Sequence, residues 1–429
     1  MFLLFNTTCF LLLSIFGGYV FLFRKSFFLG LFALSYALLF CFVPLCNFYL
    51  NGYYVYHPEA VYGPIADQSL FEIYSLINLH FSFLILIFIA PFIFIRKQTV
   101  CVDASGLSLF RHISAVMVVV GFFVYLYSLG FKGFNPVSLA LEAYSSGRMA
   151  HFKNPGYSSL LMNISLYLMS FSSVFFYISF RKEYRYSFLS FIVLLVVVAF
   201  TFIAGGRQAL MLFVSGLFAA LYFGRASSSF GIFVVAVVSG CILVLLQFFR
   251  ARTGEQLDLD VILRLLTVGD LSYFFYASLE AIRQFEYYDV GFVGSFYRNL
   301  LLIFMPTDWT FGIKVRDLSS LFAFAFESGV DFRSGNYPPG LIGLFVLNFG
   351  WFGFFLVGSF LLFVGVFIER FINNGLVLVV FYANILFWVL QIMRGTLMGY
   401  YIFMFQLIVL CLFLLSKKLV SYRNKVLIK

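Results

Sequence analysis

Charge is what this sequence has least of. Only 11% of its 429 residues are Asp, Glu, Lys or Arg, while 63% are hydrophobic and the mean hydropathy is +1.01. A water-soluble protein of that length has no means of hiding so much apolar surface. Metal-binding patterns are missing as well. The six cysteines (Cys9, Cys41, Cys46, Cys101, Cys241, Cys411) fall mostly in or beside apolar runs, at spacings that fit neither zinc nor a redox pair. The four histidines, His57, His80, His112 and His151, form no HxxxH pair. No P-loop, GxSxG or HExxH stretch occurs, so ATP-driven transport by this chain alone is unsupported, and neither a metal nor a cofactor is expected. The first apolar run has no basic stretch before it and no small-residue cleavage site after it. It is expected to be a retained span and not a signal peptide.

What is present is a succession of continuous apolar runs. About 20 apolar residues cross a bilayer as a helix, and the strict alternation of a β-barrel is absent. The pattern predicts an all-α polytopic integral membrane protein with eleven spans, at 2–23, 27–47, 71–95, 112–131, 158–180, 187–205, 207–224, 230–249, 338–368, 375–393 and 396–415. Its organisation is then helices one to eight over 1–249, a large loop over 250–337, and the last three helices with a basic tail over 338–429.

The net charge of +10 does not point to nucleic acid, because most basic residues flank the spans and orient them. Arg24 and Lys25, Arg96, Lys97 and Arg111, "RKEYR" at 181–185, Arg225, Arg370 and the tail "SKKLVSYRNKVLIK" all fall on one side. By the positive-inside rule that side is cytoplasmic. The stretch 48–70 has no Lys or Arg and lies opposite, as do 132–157 and 250–337. The expected location is the inner membrane of a bacterial cell, with the N-terminus outside and the C-terminus inside. The 250–337 loop carries 11 of the 18 acidic residues and eight basic ones: Arg250, Arg252, Arg264, Arg283, Arg298, Lys314, Arg316 and Arg333. Within it, residues 261–285 have apolar positions at helical spacing with charges between, which predicts a helix lying along the membrane surface. The run 291–306 is apolar around Arg298 and suits re-entry into the membrane or packing onto the bundle.

Arg207, in "TFIAGGRQALMLF", sits at an outward turn between two spans, and Arg394 sits at another. Outward arginines oppose insertion, so a set of them needs a reason. The guanidinium is a permanently charged fork that fits phosphate oxygens, and Gly205 and Gly206 let the backbone approach a ligand closely. One arginine alone is explained by snorkelling to the headgroups. Arg207 together with the loop arginines favours a site for a membrane-anchored diphosphate. Arg148 and Lys153 are also read as plain solvated charges, and Arg250 and Arg252 as interface anchors. His151 is a candidate base, although a loop histidine without a carboxylate partner is more often only solvated. Glu327 and Asp331 also suit simple ion pairing with Arg333.

These residues resemble a family. A "GGR" turn between spans, a late external loop holding "RNLLLIFMPTDW", and "GNYPPGLIGLFVLNFGWFGFFLVG" at 335–358 are similar to bacterial O-antigen polymerases, the oligosaccharide repeat-unit polymerases. The motif likeness covers roughly 200–360, and the layout likeness covers the whole chain. The chain departs from the family where Arg298 stands eight positions before Pro306 and where no proline follows Lys314. The resemblance implies the fold of polytopic lipid-linked-sugar glycosyltransferases. It implies a metal-independent glycosyltransferase that joins polyprenyl-diphosphate-linked repeat units into O-antigen or capsule-type polysaccharide at the periplasmic face, with a chain-length regulator as a partner. The diphosphate would lie among Arg207, Arg148, Arg250, Arg252, Arg298, Lys314, Arg316 and Arg333. The acceptor's base would be Glu327, Asp331, Asp317 or His151. The nearest rival is an O-antigen ligase, which relies on a loop histidine that 250–337 lacks. A flippase or other transporter is the rival from another class, yet the chain shows no internal repeat and few mid-span charges.

Overall fold

The most apolar stretches of the N-terminal part become its longest helices. A computed structural model describes residues 1–24, 26–55, 65–94, 107–128, 159–180, 188–190, 192–197, 273–284 and 340–343, with helical positions 346, 359, 362, 363, 389, 392 and 393. In chain order the elements are α1 (Phe2–Tyr19), a π-helical turn (Val20–Arg24), α2 (Phe27–Tyr36), a second π-helical turn (Ala37–Phe42) and α3 (Val43–Asn51). Then come β1 (Tyr54–Val55), β2 (Ile65–Ala66), α4 (Gln68–Phe94), α5 (Leu107–Ser128), α6 (Ser159–Phe180) and α7 (Tyr273–Gln284).

Three segments are long and apolar enough to cross a bilayer: Phe2–Arg24, Phe28–Asn51 and Gln68–Phe94, with mean hydropathies of 1.7, 2.2 and 2.3. They coincide within a few residues with the spans expected at 2–23, 27–47 and 71–95, and they mark a membrane-embedded protein. Helices α5 and α6 overlap the stretches expected at 112–131 and 158–180, and the helix Phe188–Val197 overlaps the start of 187–205. The spans expected at 207–224, 230–249 and 396–415 lie outside the described residues, and those at 338–368 and 375–393 are described only at the positions given above.

The chain divides into two units. One comprises Met1–Thr99, Val238–Ile372 and Trp388–Tyr401, and the other Val100–Val237, Asn373–Phe387 and Ile402–Lys429. In the first, α1 and α2 form a tight hairpin. A Cβ on Gly30 would stand 2.6 Å from the Cβ of Phe21, and one on Gly17 would stand 2.8 Å from the Cβ of Ala33. Small residues at such crossings let backbones meet where lipid offers no hydrophobic drive of its own.

Pro44 shapes the next segment. Proline has no N–H to give the carbonyl four residues earlier, which is that of Phe40. The chain passes this point as the π-helical turn Ala37–Phe42, and α3 starts with Pro44 in its first turn. In an apolar surround the carbonyl must find other donors. It finds two on α4, the hydroxyl of Tyr74 at 2.8 Å and Nδ2 of Asn78 at 2.8 Å.

A two-residue antiparallel ribbon, Tyr54 opposite Ala66 and Val55 opposite Ile65, joins α3 to α4. Gly52 ends α3 at φ +64°, a backbone that favours glycine. Asp67 caps α4: its Oδ1 accepts from the Ser69 amide at 2.8 Å and from the Ser69 hydroxyl at 2.6 Å. Those bonds hold the Asp67 carboxyl below its usual range, the hydroxyl of Ser69 most of all. The cap therefore contributes fully above the unfolded value of about 3.9 and is lost as pH falls through the lower folded value. Asp67→Ala is expected to cost about 1 kcal/mol and Asp67→Asn much less. Thermal midpoints in detergent at pH 7 check this, and the difference between wild type and Asp67→Ala should shrink below about pH 4.

In the second unit α5 and α6 run antiparallel. Nη2 of Arg111, near the start of α5, donates to the carbonyl of Ser179, near the end of α6, at 3.1 Å, and Gly121 lies against Met169 and the Ser165 carbonyl. A guanidinium at a helix C-terminus meets its unpaired carbonyls and the negative end of its dipole.

The loop helix departs from expectation. A helix does form within 261–285, at Tyr273–Gln284, but its side chains from Phe274 to Ile282 are all buried. It packs on α4 and on the second π-helical turn. The amphipathic pattern reads as surface-lying because it reports one apolar face; here the opposite face is enclosed too.

Candidate functional site

Helix α7 docks on α4 and on the second π-helical turn through aromatic side chains. Phe275 meets Tyr74 at 4.8 Å, Phe71 at 5.6 Å and Phe2 at 6.3 Å between ring centroids, while Phe274 meets Phe40 at 6.4 Å. Phe2, Phe48, Tyr53 and Phe71 stack around one another at 4.9–5.3 Å. That cluster joins the start of α1, the end of α3 and the start of α4. The loop helix therefore docks at the end of the unit shared by residue 1 and the 48–70 stretch. Tyr74 stands six residues into α4, about 9 Å along its axis at 1.5 Å per residue, so α7 sinks below the helix ends.

A second segment closes on α7. Gly340 has φ +71°, and a Cβ there would stand 3.1 Å from the Phe274 carbonyl and 3.2 Å from Oγ of Ser278. Position and conformation both call for glycine. Ser278 gives its hydroxyl to the Phe274 carbonyl at 2.7 Å. Gly340, which follows Pro338 and Pro339 in the sequence, thus stands against α7.

Beneath the aromatic cluster lies a buried polar network. Asn6 donates from Nδ2 to the Phe2 carbonyl at 2.8 Å and to Oγ of Ser75 at 3.2 Å. Its Oδ1 accepts from Nδ2 of Asn78, which also serves the Phe40 carbonyl. The Cys41 thiol donates to Oδ1 of Asn78 at 3.8 Å, and Ser75 donates to the Phe71 carbonyl at 2.7 Å. The two amides are fully occupied, so the network holds α1, the second π-helical turn and α4 together and leaves no open set of ligands. Among the described residues no group of three or more His, Cys, Asp or Glu is placed to hold a metal ion.

Every residue proposed from the sequence for the diphosphate or for proton transfer lies outside the described residues: Arg207, Arg148, Arg250, Arg252, Arg298, Lys314, Arg316, Arg333, Glu327, Asp331, Asp317 and His151, and likewise Lys153 and Arg394. Two features went unnoticed in the sequence. The amides Asn6 and Asn78 stand inside apolar runs, which is a readable sign of helix–helix hydrogen bonding. Glu280 is 1% exposed in α7, and helical spacing alone gives no sign of that.

No protein-family model, curated protein or solved structure matches the chain.

Proposed function

We propose that the chain is a polysaccharide polymerase of the inner membrane, transferring oligosaccharide repeat units from a polyprenyl diphosphate donor to a second lipid-linked unit at the periplasmic face. The observation that carries this reading is the set of arginines, Arg207 among them, in stretches that the charge pattern of the sequence assigns to the side opposite the basic short loops. An acceptor hydroxyl oxygen attacks the anomeric carbon of the donor and gives its proton to a base, for which the sequence offers Glu327, Asp331, Asp317 or His151. The bond to the diphosphate breaks, and the lipid diphosphate leaves with the electron pair. Guanidiniums stabilise the charge that builds on the leaving group without proton transfer to it. The partners on this reading are the lipid-linked oligosaccharide, membrane lipids and a chain-length regulator. The docking of α7 among the helices supports it, since a loop that only tethered two spans would not need to bury its helix.

A deletion strain is expected to make lipid-linked single repeat units and to deliver them to the outer leaflet. A ligase in the same cell then caps its acceptor with one unit in place of a chain. Gel analysis of surface glycan, with leaflet-specific probing of the lipid intermediate, reads this out. Long lipid-linked polymer without transfer would indicate a ligase. Units trapped on the cytoplasmic leaflet would indicate a transporter.

A further inference from the structure

The chain comes back from the long loop through Gly340, and that point is fixed on α7. Gly340 opens the helical stretch 340–343, whose residues are all buried. Its φ of +71° is a backbone that residues with a side chain rarely adopt. A Cβ there would press on two atoms of α7, the Phe274 carbonyl oxygen at 3.1 Å and Oγ of Ser278 at 3.2 Å. Neither gives way easily. The rings of Phe274 and Phe275 seat this part of α7 on Phe40 and Tyr74, and the Ser278 hydroxyl is engaged on the Phe274 carbonyl. A close-packed interior passes such a displacement on instead of absorbing it. With α7 held, a side chain at 340 pushes the returning segment away. Gly52 provides the contrast. It ends α3 in the same unit at φ +64°, yet a Cβ there meets nothing within 4 Å. The two glycines share a backbone requirement, and only Gly340 adds close approach to another element. Between Gln284, which ends α7, and Gly340, the sequence carries Arg298, Lys314, Arg316 and Arg333 of the proposed diphosphate set. That stretch therefore leaves from α7 and returns to α7. Joining the two ends of a connecting chain narrows the volume open to its middle.

We propose that Gly340 is a positioning residue for the transfer, a role that rests on the polymerase reading above. It seats the returning chain against α7 and so sets where the cations between them meet the diphosphate. Gly340 itself touches no reactant. It acts through the guanidiniums, whose hold on the departing diphosphate depends on placement. A misplacement of about 1 Å can cost roughly 100-fold in rate. The loss falls on turnover, because these contacts are strongest where charge builds up in the transition state.

The test uses the full-length chain in detergent, with lipid-linked repeat units extracted from the deletion strain as substrate. Wild type, Gly340→Ala, Gly52→Ala and Ser278→Cys are compared per mole of folded protein, measured by size exclusion. Both glycine variants are expected to lose thermal stability through the strained backbone. Gly340→Ala is expected to lose turnover by about 10- to 100-fold, with KM within about threefold of wild type. Gly52→Ala is expected to keep wild-type turnover. Ser278→Cys puts the larger sulfur at the same contact without touching the backbone, and it is expected to lower turnover by less. Wild-type turnover from Gly340→Ala, or equal losses in Gly340→Ala and Gly52→Ala, overturns the positioning role and leaves the polymerase reading standing. If Gly340→Ala does not fold, Ser278→Cys decides, and wild-type turnover from it overturns the role as well. Wild type that fails to join the extracted units overturns the polymerase reading and this role with it.

Discussion

Arg207→Lys is expected to lose polymer about as severely as Arg207→Ala, by roughly 100- to 1,000-fold in rate, or about 3–4 kcal/mol of transition-state stabilisation. The comparison decides between two accounts of one residue. Arg207 follows Gly205 and Gly206 between two apolar stretches. If it only reaches up to the headgroups, lysine does that equally well, since both side chains bury an aliphatic stem and place the charge in water. If it grips a diphosphate, lysine keeps the charge but loses the planar pair of donors that meets two oxygens at once. The loss then falls on the step where charge builds on the departing phosphate. The variants are compared at equal protein level, and the amount and length of surface polymer are read on gels. Wild-type polymer from Arg207→Lys would leave the headgroup account standing and remove Arg207 from the site.

The parts of this molecule that were legible in the sequence are those set by local composition. Runs of about 20 apolar residues have one low-cost solution in lipid, a helix, and Phe2–Arg24, Phe28–Asn51 and Gln68–Phe94 are such helices. The lack of Lys and Arg sets 48–70 opposite the basic short loops by charge alone, whereas the meeting of Phe2, Phe48 and Tyr53 with Phe275 had to be seen in the structure. What was not legible depends on partners distant in the chain. Periodicity shows that α7 has two faces, but it carries no information about what covers the second one. Glu280 therefore reads as solvated until burial is seen. Pro44 is intermediate. Its missing N–H predicts an unserved carbonyl at Phe40, while the identity of the donors, 34 and 38 residues further along, does not follow from the local sequence. The arginines and acids proposed for the chemistry lie outside the described residues, so their grouping rests on the sidedness of the loops.

Asn78→Leu is expected to destabilise the first unit by about 3–5 kcal/mol, and Pro44→Ala is expected to reduce that cost. Asn78 serves the Phe40 carbonyl, Oδ1 of Asn6 and the Cys41 thiol. Hydrogen bonds between membrane helices average only about 0.6 kcal/mol each, because the separated helices also find partners. Three of them account for about 2 kcal/mol, and stranding Oδ1 of Asn6 among apolar neighbours adds roughly 1–3 kcal/mol. The Phe40 carbonyl is the part of the loss that can be repaired. It leans on α4 because position 44 has no N–H to offer, and Tyr74 still donates to it once Asn78 is gone. Alanine at 44 restores the ladder donor and permits an α-helical turn in place of the π-helical one. The cost of Asn78→Leu should then fall by about 1 kcal/mol in the Pro44→Ala background, and Tyr74→Phe should show the same dependence. Unfolding in mixed micelles, run as a double-mutant cycle, measures the coupling directly. Additivity within about 0.5 kcal/mol would mean that Pro44 is not the reason α4 carries its buried amide, and that the π-helical turn has another cause.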